Sequence, residues 1–398
     1  KILLIAPFQP HIYRTLQKPQ FKYKETSMSV LDSYMKDLAE LVNKDRGTAN
    51  IAGVTEAAKI MKGHLESIGF KADLVDLGPN AGNGLFATNK PNADHYDVLF
   101  NAHLDTVFPD GTAAARPLTV KGDRAYGPGC SDCKSGVLAI YYALKAARPE
   151  DLERLSIAVA LNPDEETGSK ASSAWLKGIA AKSSRALVFE AARAGGQLVR
   201  SRKGSTNYIV TFHGKASHAG NAPYKGANAN IAAMRFALAA AGLADVDKGT
   251  TVNPGVIEGG SAPNVISEKC VVKLDTRYWN NEDDKYLDDG INKLAAAVWA
   301  PGVTQTIERV SHSNAMPLSD ATKELVAQIT EAAKLEGFDI DWVDAGGASD
   351  GNHMAEAGLP VIDGCGPAGG EFHCDREFLR LDTVEERIRM ITRFLSLI

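Results

Sequence analysis

Five short segments place hard-to-bury groups at the ends of apolar runs. His103 and Asp105 follow the run Val98–Ala102 in Asn101-Ala102-His103-Leu104-Asp105-Thr106. Two residues apart on an extended chain, they can share one side, where a carboxylate would hold the imidazole in the tautomer a metal needs. A histidine satisfied at a strand end explains that segment equally well. The second segment, Tyr126 to Gly136, is a glycine-rich turn into a helix, with Asp132 either a ligand or a plain N-cap. The third, Asn162-Pro163-Asp164-Glu165-Glu166-Thr167-Gly168-Ser169, sets three acids side by side. Solvation at the surface is the bland account of it; a cation that relieves the repulsion and leaves one carboxylate as a base is the chemical one. The fourth is Glu190, which ends an apolar strand where a charge is costly unless paired. The fifth is Glu371-Phe372-His373-Cys374-Asp375, in a loop after a run of glycines. Together they supply two histidines and several carboxylates. Zinc takes such N and O ligands and keeps a position open for water in catalytic sites. Two ions about 3.5–4 Å apart call for a bridging carboxylate.

The elements that must position these groups are legible as an alternation. At 398 residues the chain exceeds the size of a single growing core, so two domains are expected. Helices fit residues 29–43 and 54–68, and short β-like runs fit 72–77, 85–88 and 98–102. A helix over 132–147, a strand at 155–161, a helix at 171–180 and a strand at 186–190 follow. Strands alternating with helices predict an α/β fold, a mostly parallel sheet with helices on both faces. Such sheets place ligands outside the carboxyl ends of their strands. The middle third changes character. A strand at 208–212, a helix at 227–241, strands at 251–257 and 270–277, a helix at 283–298 and a strand at 303–309 spell β-α-β-β-α-β, the ferredoxin-like order. The chain then returns with helices at 322–336, 352–357 and 384–397 and a strand at 359–362, where Pro360 favours a sheet edge. The expected division is a catalytic domain of residues 27–201 and 311–398, an inserted domain of 202–310, and an N-terminal arm of 1–26.

These five segments, in this order from about residue 30 to the C-terminus, resemble the zinc peptidase and amidohydrolase family of glutamate carboxypeptidase, aminoacylase and succinyl-diaminopimelate desuccinylase. The pattern is nearest the glutamate carboxypeptidases through Tyr126–Gly129, Asp164–Ser169 and Gly214-Lys215-Ala216-Ser217-His218-Ala219-Gly220. The resemblance implies two zinc ions per chain, replaceable by cobalt. His103 and Glu190 would hold one, Glu166 and His373 the other, and Asp132 would bridge both. It further implies that Asp105 orients His103 and that Glu165 is the general base. In the inserted domain it implies that His218 reaches a substrate oxygen in a partner subunit's site, and that Arg277 and Asn264 hold the substrate's carboxylate and carbonyl region. The implied substrate is a dipeptide or N-acyl amino acid, and the implied assembly a homodimer through a lid that is also the dimerisation domain. The loop Gly346-Gly347-Ala348-Ser349-Asp350 resembles one that lines the family's substrate pocket.

Departures from the pattern are informative. Cys133 stands where relatives usually carry Met or an acid, and Cys130-Ser131-Asp132-Cys133 is formally a C-x-x-C that a redox or cysteine-zinc site would use. Residues Arg200 to Lys203 do not match the carboxypeptidase pattern, so a glutamate preference does not carry over. A catalytically inactive metal-binding scaffold is the alternative of another class, and retention of Glu165 beside every implied ligand argues against it. A binding module using the ferredoxin-like surface is a further one. A net charge of -5, with no basic stripe, argues against nucleic acid. No apolar run approaches the roughly 18 residues of a membrane span. Five cysteines without a disulfide-like spacing fit a reducing compartment. A soluble protein is expected, with the cytoplasm slightly favoured over export.

Overall fold

The strands at Val98–His103 and Ile157–Asn162 are buried at every position, as strands covered on both faces must be. This computed structural model describes residues 29–398, and the arm expected over 1–26 lies outside them. The two strands are central in a six-stranded sheet, ordered Lys71–Val75, Gly84–Thr88, Ile157–Asn162, Val98–His103, Ala186–Val188, Val361–Ile362. The last four run parallel. The first two form an antiparallel hairpin against Ile157–Asn162. Val361–Ile362 takes the outer edge directly after Pro360, as the proline predicts.

Alternate residues of the central strands feed opposite cores. Val98, Phe100 and Ala102 pack with Tyr34, Met61, Leu138, Ile329 and Phe394, from helices Val30–Val42, Ile51–Ser67, Lys134–Ala146, Asp320–Leu335 and Asp382–Leu397. Leu99 packs on the other side with Leu176, Ile179 and Met354, from Ser173–Ala180 and Asp350–Ala355. The helices therefore cover both faces, and the carboxyl ends of the three middle parallel strands share one edge of the sheet.

Residues 204–313 have a sheet and a core of their own. Four antiparallel strands are ordered Thr251–Gly259, Lys269–Tyr278, Gly204–His213, Thr304–Ser313. Helices Ala229–Ala241 and Asn281–Ala295 cover one face through Phe236, Ala240, Leu287 and Ile291, packed on Tyr208, Val210, Phe212 and Val272. This is the β-α-β-β-α-β order expected from the sequence. Its last strand runs on to Ser313, past the sequence-based end at residue 310.

A second small sheet was not foreseen. Its strands are Gly369–Gly370, Phe378–Arg380, Arg124–Tyr126 and Thr119–Lys121, in that order and antiparallel throughout. Pairing of Phe378 with Tyr126 brings the chain just after His373 beside the chain just before the glycine-rich turn. Strands of two or three residues carry no readable periodicity. The parallel pair Leu198–Arg202 and Trp342–Ala345 escaped for a related reason: it is joined by tertiary contact alone.

Candidate metal centre

His103 is the last residue of its strand, and Glu190 follows the neighbouring strand Ala186–Val188. The backbone bond from Phe189 N–H to Asn101 O (2.7 Å) fixes the two strand ends against each other. His103 Nε2 lies 3.6 Å from Glu190 Oε1 and 3.1 Å from Asp132 Oδ1. The other oxygen of Asp132, Oδ2, lies 3.2 Å from His373 Nε2, which is also 3.2 Å from Glu166 Oε2. Asp132 thus divides its carboxylate between two histidines, each of which faces a further acid. It is not the helix cap; Cys133 occupies the N-cap position of the helix Lys134–Ala146 without a side-chain cap bond, and the Asp132 side chain is left for the centre.

Asp105 braces the arrangement from behind. Its Oδ1 is 3.3 Å from His103 Nδ1, which leaves Nε2 to face Asp132 and Glu190. Its two oxygens accept backbone N–H groups of Glu165 (3.2 Å) and Glu166 (3.3 Å), and Thr48 Oγ1 donates to it at 2.6 Å. The consecutive acids are sorted by these bonds. Asp164 turns away and accepts from Ala171 N–H (2.6 Å) and Ser172 Oγ (2.5 Å), so it shapes the turn. Glu166 faces His373. Glu165 has no side-chain hydrogen-bond or ion-pair partner among the described residues, and so remains a free carboxylate at the cluster.

The charge balance of this pocket calls for a cation. Burial raises Glu165, with the nearby Glu190 carboxylate adding to it, and burial lifts Glu166 to about 8. Burial also raises Glu190, although His103 opposes it. Asp132 alone is held low: burial works against it, but hydrogen bonds from His103 and His373 win. Five N and O donors converge from five separate segments, and a divalent ion reverses the cost of gathering acids. The N and O donors fit a divalent ion. His103, Cys133 and Glu190, and likewise His103, Asp132 and Glu166, bring donor atoms within 4.8 Å of one another. The sulfur in the first group bonds instead to Phe189 O at 2.9 Å. Burial pushes both thiols of the C-x-x-C well above the ordinary range, which leaves them unreactive rather than redox-active.

The residues expected on the inserted domain stand apart from this cluster, with no hydrogen bond or ion pair to it among the described residues. His218 is exposed; its Nδ1 accepts from Gly220 N–H (3.2 Å) and Asn221 N–H (3.1 Å), which puts the ring proton on Nε2, facing outward. Ala219 N–H bonds to Asn264 O at 2.9 Å, and His218 bridges to Val265, so the His218 and Asn264 loops are joined. Arg277 is half-buried, and its fork is taken by Asp275, with both nitrogens at 2.9 Å from the two carboxylate oxygens.

Three buried acids went unread in the sequence. Asp350, in the glycine loop, accepts from Asn162 Nδ2 at 2.7 Å and from Ser169 Oγ, and burial lifts it to about 7. Asp363 takes Arg202 Nε at 2.6 Å and Ser349 Oγ at 2.5 Å. Glu377 is fully buried under the glycine-rich turn. Asp350 lay in the glycine loop and Asp363 directly after the strand run Leu359–Ile362, where it could have been read as Glu190 was; Glu377 lies among ordinary surface-type residues in sequence.

With this geometry in hand, comparison with known proteins is specific. The chain is 28% identical over 366 residues to carboxypeptidase G2 of Pseudomonas sp., covering 91% of this chain and 88% of that one. It is 27% identical over 322 residues to succinyl-diaminopimelate desuccinylase of Thioalkalivibrio sulfidiphilus, covering 75% and 83% respectively. In fold it is similar to aminopeptidase PepT of Bacillus cereus, with a TM-score of 0.76 at 20% identity over 92% of this chain and 98% of that one. The M20 family metallo-carboxypeptidase Sso-CP2 of Sulfolobus solfataricus gives 0.67 at 18% identity, over 92% and 99%. The model of peptidase family M20/M25/M40 matches residues 99–397. The matched span takes in all five converging segments, and the chain belongs to that family, as a hydrolase of its metallo-carboxypeptidase and amidohydrolase type.

Proposed function

We propose that the chain hydrolyses an amide bond next to a free carboxylate, as an exo-carboxypeptidase that releases a C-terminal amino acid; the alternative is an N-acyl-amino-acid amidohydrolase of deacylase or desuccinylase type. The observation that carries the hydrolytic reading is the split carboxylate of Asp132 between His103 and His373, with Glu165 left free beside it. His103 and Glu190 would hold one divalent ion, Glu166 and His373 a second, with Asp132 between them; zinc suits the donors, and cobalt would substitute. Such ions supply Lewis acidity toward the amide carbonyl and lower the pKa of water. Glu165 takes the proton of the attacking water and hands it to the departing amine. Asp105 keeps His103 in its ligating tautomer. His218, with its proton fixed on Nε2, is suited to donate to the developing oxyanion, and Asn264 is held beside it. Arg277 offers a bidentate fork for the substrate carboxylate once Asp275 shares or releases it.

A homodimer fits the surface of the 204–313 unit, which would serve as lid and dimerisation domain. Ile231, Met234 and Leu238 form an exposed apolar stripe on the helix Ala229–Ala241, with Leu238 77% exposed. Beside them the edge strand Thr251–Gly259 keeps unpaired backbone groups and exposes Val256 and Ile257. A second copy of this chain covers both.

The test is a panel of dipeptides and N-acyl amino acids, each offered as free acid and as amide. Chelation should abolish turnover, and zinc or cobalt should restore it. Free acids should react far faster than amides, and Arg277→Ala should lose that discrimination with most of the activity. Full activity after metal removal, or indifference to the carboxylate, would overturn the reading.

A further inference from the structure

The fully buried Glu377 carboxylate makes three bonds to one turn. Its Oε2 accepts from Gly129 N–H at 2.8 Å, and its Oε1 accepts from Ser131 N–H at 2.9 Å and Asp132 N–H at 3.0 Å. Three backbone donors converge on one buried carboxyl group, where each hydrogen bond is worth more than at the surface. The turn they clamp ends in Asp132. The residue that clamps it sits four positions after His373, at the start of the strand Phe378–Arg380. One side chain therefore ties the loop of one histidine to the turn of the shared carboxylate.

The two halves of the centre differ in what else holds them. His103 and Glu190 sit at the ends of neighbouring parallel strands, and the backbone ladder sets their separation. His373 has no such support. Its backbone lies at φ 60, a left-handed conformation that persists only where the surroundings enforce it, and its side chain is 56% exposed. The strands that anchor its loop are two and three residues long.

We infer that Glu377 is a positioning residue chiefly for the His373 half of the centre: by fixing the Gly129–Asp132 turn against the His373 loop it governs the second ion most, whereas the first keeps His103 and Glu190 on the central sheet even when the shared Asp132 shifts. This rests on the two-ion reading. Glu377→Gln keeps the volume but turns one acceptor into a donor facing a backbone N–H. Glu377→Asp keeps the charge but falls a carbon short of the turn. Outer partners of this kind typically change metal affinity about 10–100-fold.

The experiment titrates metal-stripped protein with cobalt against a competing chelator, following the visible cobalt absorption, with thermal unfolding of the metal-free proteins in parallel. Wild type should take two ions. Both variants should weaken the second ion about 10–100-fold and the first clearly less, with unfolding still cooperative. A wild type that takes a single ion sinks the two-ion reading itself. Two ions in wild type and an unchanged second affinity in both variants overturns the role of Glu377 alone. So does equal weakening of both ions, whether or not the unfolding transition stays cooperative.

Discussion

Glu165 and Glu166 are neighbours in sequence, yet the bonds around them separate their work. Asp105 accepts both backbone N–H groups and so fixes the turn, leaving Glu166 on His373 and Glu165 free. Replacement of Glu165 by Gln removes the basic oxygen and little else. Turnover should drop roughly 10²–10⁴-fold, the span of general base catalysis, with metal content near that of wild type. Loss of metal in Glu165→Gln, together with retention in Glu166→Gln, would show the roles reversed. These residues were legible because the chemistry restricts their type and because each follows an apolar run. Glu377 and Asp350 were not singled out as buried acids, because a carboxylate satisfied by distant N–H or O–H groups looks in sequence like any solvated one; Asp363, which follows the run Leu359–Ile362, carried the same signal as Glu190 and was passed over. Asp164 shows the converse: grouped with the two functional acids by adjacency, it is a bracket for the following helix.

At the scale of elements, the sequence revealed what has a period. The central strands, the long helices and the ferredoxin-like order each repeat a hydrophobic pattern over many residues. The short strands that carry the His373 loop do not, so the way this loop reaches Asp132 was hidden. Close approach was also hidden. Helix Lys134–Ala146 must begin almost in contact with the strand end bearing Glu190, and Gly136 is what permits it: a Cβ there would lie 1.8 Å from Phe189 O. Neither backbone can yield cheaply, because Phe189 N–H is bonded across to Asn101 O. Gly136→Ala should therefore push the Asp132 turn away from Glu190. We expect a loss of about 1–3 kcal/mol or more from overpacking, read by chemical denaturation, and weaker metal binding at both positions. A variant as stable and as metal-loaded as wild type would mean that the helix has room to slide, and the tight seat inferred here would be wrong.

At the scale of the whole molecule, the catalytic cluster and the groups implied for substrate lie on separate sheets. His103, Glu165, Glu166 and Glu190 stand at the carboxyl edge of the six-stranded sheet, with Asp132 and His373 brought to them by neighbouring turns, whereas His218, Asn264 and Arg277 belong to the unit of the four-stranded one. Either the second unit closes over the first within one chain or a second copy brings His218 to it, and the outward Nε2–H of His218 suits both. The apolar stripe through Ile231, Met234 and Leu238 beside an open strand edge favours a dimer as the working form. Complementation distinguishes the two. Glu165→Gln and His218→Ala should each be nearly inactive alone. If His218 serves the partner's cluster, a hybrid dimer has one cluster with both groups intact, and mixing the two proteins should restore up to roughly a quarter of wild-type activity as subunits exchange statistically. If His218 serves its own cluster, every site in the hybrid lacks one group, and mixing restores nothing. Met234→Glu with Leu238→Glu in both proteins sharpens the result. Charges on the stripe should shift the protein to monomer in sedimentation and abolish the recovery. A protein that stays dimeric and still recovers would remove the stripe from the interface, and no recovery despite proven exchange would return His218 to its own chain.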